Sequence, residues 1–135
     1  MAGLTYVNRF PELADALKPA LQKGVQATGE KMVSNIEGPA PRRSGFMADN
    51  VYVSGPLSST YGAGPAPPTD DVYLLPEVKP TDDMTANVGA AADYSAFVNY
   101  GTRYMAAQPF FDQGVEVTRG TFLAIMQAAL SEGLV

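Results

Sequence analysis

The chain has 135 residues, 46% hydrophobic and 17% charged, with a net charge of −5. That is one domain's length of chain with enough apolar residues for a core, which argues against wholesale disorder. It has neither Cys nor His, which removes thiol nucleophiles, a disulfide framework, Cys/His zinc sites and a histidine base.

The acidic balance, with a pI near 4.5, argues against a surface that grips nucleic-acid phosphates. It is compatible with a lining that DNA slides past, because repulsion prevents sticking. Residues 1–10 lack the basic-then-apolar layout of a secretory signal. No apolar run reaches the roughly 20 residues of a membrane span. The expectation is a soluble protein made in the cytoplasm.

Residues 10–36 place Phe10, Leu13, Leu17, Leu21, Val25, Met32 and Ile36 on one stripe, the pattern of an amphipathic helix. Pro11 and Glu12 suit its first turn, and Pro19 predicts a kink or restart. Gly38-Pro-Ala-Pro41 ends it, and Arg42-Arg-Ser-Gly45 reads as a turn. Phe46–Val53 predicts a strand. Seven of the eighteen residues 54–71 are Gly or Pro, a long loop expected to be mobile. Residues 72–75 and 77–79 predict a second strand broken by Pro76, and 85–89 a third. Asp93 is placed to cap a short helix through Tyr100, which Gly101 ends. A last helix follows Pro109, and Gly114 and Gly120 predict its division into two segments. The expected fold is a single α+β domain over 1–135. A small antiparallel sheet of three to four strands packs against a long N-terminal helix and a C-terminal helix.

Candidate chemistry is sparse. Asp70-Asp71 and Asp82-Asp83 are the close carboxylate pairs. They read as turn formers, because no further ligands stand at metal or acid–base spacing. Gly55–Gly64 lacks the Lys-Ser/Thr ending of a phosphate cradle. Ser44, Ser58, Ser59 and Ser131 have no histidine to activate them. No cofactor or metal is expected. Arg42 and Arg43 suit an acidic neighbour or a phosphate, or else the carbonyl end of the preceding helix. Tyr61, alone on the Gly/Pro loop, either tucks back or inserts into a partner. Tyr94, Phe97, Phe110 and Phe111 are assigned to the core.

Three segments in order resemble a known family. They are Ala40-Pro-Arg-Arg-Ser-Gly-Phe46, Val88-Gly-Ala-Ala-Ala-Asp-Tyr-Ser-Ala-Phe-Val-Asn-Tyr-Gly-Thr102, and Met105-Ala-Ala-Gln-Pro-Phe-Phe111. Together they look like the HK97 gp10-like tailed-phage proteins, the tail-completion, head–tail joining and minor tail components. In that family the segments read Pro-x-(Arg/Lys)-Thr-Gly-x-Leu, Tyr-Ala-x-Tyr-Val-Glu-(Phe/Tyr)-Gly-Thr and Met-Pro-Ala-Arg-Pro-Phe. Here Ser44 replaces Thr, Asn99 Glu, Ala106 Pro and Gln108 Arg. Loss of Glu and Arg together is compatible with an Asn99–Gln108 hydrogen bond replacing an ion pair, since losing one alone strands a charge.

The resemblance implies a non-enzymatic virion protein of a long-tailed phage. It would be a head–tail joining (neck) or tail-completion subunit, forming a ring, commonly hexameric, between the head connector or stopper and the tail-terminator or tail-tube proteins. Genomic DNA would pass through the lumen without specific binding; six copies at −5 each carry −30. The expected assembly contacts are Arg42, Arg43, Tyr61, Tyr100, Gly101, Thr102, Arg103 and Met105. The last five alternatively form only a fold-defining corner. The rival readings are a tail-terminator ring, a host-directed binding protein and, least supported, a small hydrolase using the Asp pairs.

Overall fold

The computed structural model describes residues 10–41 and 45–134. Helix α1 spans Phe10–Glu37, followed by a single turn α2 at Phe46–Asp49, strand β1 at Val51–Ser54 and strand β2 at Asn87–Ala90. Helix α3 covers Ser95–Tyr100 and helix α4 Phe110–Leu134.

Helices α1 and α4 form the frame. They run antiparallel: Ile36 lies against Gly114, Asn35 donates to Thr118 Oγ1 at 2.9 Å, Gly24 meets Met126, and Ala20 meets Gly133. Three glycines thus sit where the helices approach most closely. A Cβ on Gly114 would stand 2.7 Å from the Ile36 backbone, so helix propensity is given up for contact. Helix α4 is therefore one unbroken helix rather than two segments. Helix α1 likewise runs through Pro19. That proline removes one backbone donor, but the next residue, Ala20, is buried against α4, and tertiary packing overrides the local break.

The predicted strand from Phe46 begins instead as α2. Gly45 sits at φ 81°, and Phe46, Met47 and Ala48 are all buried. Alternating strand geometry would turn one of these three outward, whereas one helical turn presents all of them to the core. They join Ile36, Ala40, Val51, Ala92 and Phe110 in the central cluster.

The sheet has two antiparallel strands, not three to four. Val51 pairs with Ala90 and Ser54 with Asn87. Residues 72–75 start a third strand: Leu75 N–H donates to the Ala91 carbonyl at 2.6 Å and Asp93 N–H to the Tyr73 carbonyl at 3.1 Å. The pairing ends before Pro76. Beyond it side chains hold the segment, with Val78 N–H donating to Tyr52 Oη at 3.0 Å and Asn87 Nδ2 donating to the Val78 carbonyl at 3.2 Å.

Candidate docking corner

Helix α3 is short and two-sided. Ser95 and Asn99 point inward, while Phe97 is 61% and Tyr100 70% exposed. Phe97 is therefore a surface residue, contrary to its expected place in the core; the six-residue helix has one buried side, and Ser95 and Asn99 occupy it. Phe110 is buried, and Tyr94 and Phe111 are half-buried as parts of the core periphery. Burial pushes the Tyr94 phenol above its usual pKa, and the neighbouring Asp93 carboxylate adds to the shift.

Gly101 ends α3 at φ 81°, ψ 170°, as its position predicted. The chain then folds back on itself: a Cβ there would stand 2.7 Å from the Ala107 nitrogen and 3.0 Å from the Met105 carbonyl oxygen. Thr102 and Met105 exchange backbone hydrogen bonds at 2.8 and 3.3 Å, closing a tight turn with Arg103 and Tyr104 at its tip. Tyr104 is 90% exposed, with the Arg103 guanidinium 5.8 Å from its ring centroid. Among the described residues Arg103 makes no ion pair.

Asn99 fastens this corner to the frame. Its Oδ1 accepts from the backbone N–H groups of Phe111 at 3.1 Å and Asp112 at 3.3 Å, capping α4 from outside the helix. The expected Asn99–Gln108 side-chain bond is not what forms. Gln108 contributes its backbone N–H, which donates to the Val98 carbonyl at 2.8 Å. An acidic residue at 99 would serve the same N-terminus through the helix dipole, which gives the Glu-to-Asn exchange a physical reason.

Asp93 does not cap α3. Tyr94 holds the cap position without a side-chain bond, and Asp93 Oδ1 is buried without a hydrogen-bond partner. The buried Ser95 hydroxyl also lacks one. Both residues line a cleft of about 200 Å³ between α3, the end of β2 and the start of α4, with Leu75, Ala96, Tyr100 and Phe111 among its walls.

Tyr61 tucks back onto its own chain. Its hydroxyl donates to the Leu75 carbonyl at 2.6 Å and its ring meets Tyr52 edge-on at 5.1 Å. The loop is also anchored to α1 by Gln26, a buried polar residue the sequence reading passed over. Gln26 Oε1 accepts from Leu57 and Ser58 N–H at 3.3 Å, and Nε2 donates to Ser58 Oγ at 3.1 Å. Its signal was a glutamine set beside the apolar stripe. Glu77 accepts from Ser54 Oγ at 2.6 Å and Ser59 Oγ at 2.9 Å, which holds its carboxyl below the usual pKa. Arg42 and Arg43 lie outside the described residues.

The aspartate pairs act in turns. Asp82 Oδ1 accepts from Met84 N–H and Thr85 Oγ1, both at 2.8 Å, and Asp83 pairs with Lys18 at 2.6 Å. No three His, Cys, Asp or Glu side chains among the described residues converge as a metal site. No helix among them is long and apolar enough to cross a membrane.

The described residues form a helical hairpin with a small sheet and present an aromatic turn at the surface. Residues 4–101 match the family described as "Bacteriophage HK97-gp10, putative tail-component". The chain belongs to this HK97 gp10-like family, a family of structural phage tail components. No curated protein and no solved structure matches it.

Proposed function

We propose that this chain is a head–tail joining (neck) or tail-completion subunit that assembles as a ring, hexameric in the simplest case, between the head connector and the tail tube. The observation that carries the reading is the corner at 97–105. Phe97, Tyr100, Tyr104 and Met105 are exposed together on a turn whose geometry Gly101 and Asn99 fix from inside. Large exposed aromatics on a rigid support favour protein docking, because little side-chain entropy is lost on contact. Membership of a tail-component family supports a place in the virion.

In this reading Tyr100, Gly101, Thr102, Arg103 and Met105 form the assembly corner, with Arg42, Arg43 and Tyr61 as further contacts. Further copies of this chain, connector or stopper proteins and tail-terminator or tail-tube proteins are the partners, and DNA passes an acidic lumen without specific binding. The whole chain is one domain. The mobile part of the 54–71 loop is the stretch 66–71, between the Asn50 bond to the Pro65 carbonyl and the start of the 72–75 pairing. Hydrogen exchange as slow at 69–71 as in α1 would remove that mobility.

Electron microscopy of particles made with and without the gene tests the assignment. Filled heads beside separate finished tails in its absence place the protein at the joint. Overlong or irregular tails point to a terminator ring, and normal attached particles refute a role in the neck.

A further inference from the structure

The ring reading leaves open which surfaces of adjacent copies meet. Beside α3 lies the cleft lined by Asp93, Ser95, Ala96 and Tyr100. Met105 of the turn lines a separate cavity with Tyr94 and Val98. The corner thus carries both an exposed tip, at Arg103 and Tyr104, and a recess. That arrangement suits a head-to-tail contact, in which each copy gives one surface and receives the other.

The chemistry of the two surfaces matches. Arg103 is the only charged residue between Tyr94 and Phe111, stands at the tip and has no anionic partner among the described residues. The cleft holds a carboxylate with one oxygen unpartnered and a serine, 5% exposed, whose hydroxyl is unpartnered. Leu75, Ala96 and Phe111 give it apolar walls, beside Asn99 and Tyr100. Buried polar atoms without partners are uncommon in folded proteins and cost stability until a donor arrives. A guanidinium has five donors in a planar fork suited to a carboxylate, and Tyr and Arg are the residues most enriched where interfaces hold their energy.

We propose that the Arg103–Tyr104 tip of one copy enters the Asp93–Ser95 cleft of a second copy, the guanidinium pairing with the Asp93 carboxylate and the Tyr104 ring lying on the apolar walls. This deepens the ring reading and rests on it. It names a second copy of this chain as the partner of the corner.

Sedimentation of the full chain over a concentration series, joined to cysteine cross-linking, tests it. The wild-type chain is expected to self-associate, and Arg103→Glu to weaken association by about tenfold or more, as loss of a desolvated charge pair does. The double variant Arg103→Glu with Asp93→Arg is expected to regain it. Because the chain has no Cys, an oxidised mixture of Tyr104→Cys and Ala96→Cys proteins is expected to give a mixed disulfide dimer, with much less dimer from either protein alone. Both positions are exposed, so this arm does not depend on a variant that fails to fold. A chain that stays monomeric and forms no mixed disulfide overturns the proposal. So does association unchanged by Arg103→Glu. That second result leaves the ring reading standing, whereas normal particles without the gene remove the ring reading whatever the sedimentation shows.

Discussion

Replacing Asn99 by Ala removes the acceptor that joins the α3 corner to α4. Two N–H groups, of Phe111 and Asp112, lose their partner at the positive end of a 25-residue helix. Loss of an N-cap acceptor costs about 1 kcal/mol, up to about 2 in tight settings. Asn99 is itself only 4% exposed, and Phe111 is half-buried, so water reaches that donor poorly; an unsatisfied buried donor adds about 1 kcal/mol. The exposed Asp112 recovers solvent and adds little. The sum is about 2 kcal/mol for Asn99→Ala, which for a chain of this length lowers the melting temperature by roughly 6 to 10 °C. Asn99→Asp keeps the oxygen and adds a charge that the helix dipole favours by about 0.3–1 kcal/mol, offset by its burial. It is expected to lie within about 1 kcal/mol of wild type. Urea denaturation followed by far-ultraviolet circular dichroism measures both. Equal destabilisation by Ala and Asp, or an Ala variant within about 0.5 kcal/mol of wild type, refutes the capping argument, because surface changes of that size need no special mechanism.

Gly114→Ala and Gly120→Ala are expected to move stability in opposite directions. The first forces a Cβ against the Ile36 backbone and costs about 1–3 kcal/mol by overpacking, whereas the second meets nothing within 4 Å and gains about 0.5–1 kcal/mol of helix propensity; paired thermal melts decide it. Tyr61→Phe keeps the edge-on contact with Tyr52 but loses the bond to Leu75, costing about 0.5–1 kcal/mol, and hydrogen exchange at residues 57–63 should speed up while α1 is unchanged. Glu77 has a folded-state pKa below its ordinary 4.5, so the stability it contributes is full above pH 4.5 and is lost as pH falls from there through the lowered value. Glu77→Gln should therefore flatten the fall in melting temperature between about pH 5 and pH 3, a window set by the ordinary carboxyl range; an unchanged slope would remove Glu77 from the acid response.

The two long helices, the end of α3 at Gly101 and the absence of histidine and cysteine chemistry could all be read from the residues. Apolar spacing over 10–36 is a local property, and a glycine after a short amphipathic run tolerates the positive φ that any such ending requires. Three features could not be read this way, because each depends on a neighbour distant in the chain. Gly114 looks like a helix breaker until Ile36 of another helix is seen to occupy the space a side chain would need. Residues 72–75 have strand composition, yet whether they complete a ladder depends on what they meet across the sheet, where Leu74 faces Ala92 and Leu75 donates to Ala91. Asn99 reads as a lost ion-pair partner until the N–H groups of Phe111 and Asp112 are found within reach of its oxygen. Periodicity records which side of an element is apolar. Which polar atom meets which, and how closely two backbones approach, is fixed by packing across the chain, where each buried donor must find an acceptor and each contact must fill its space.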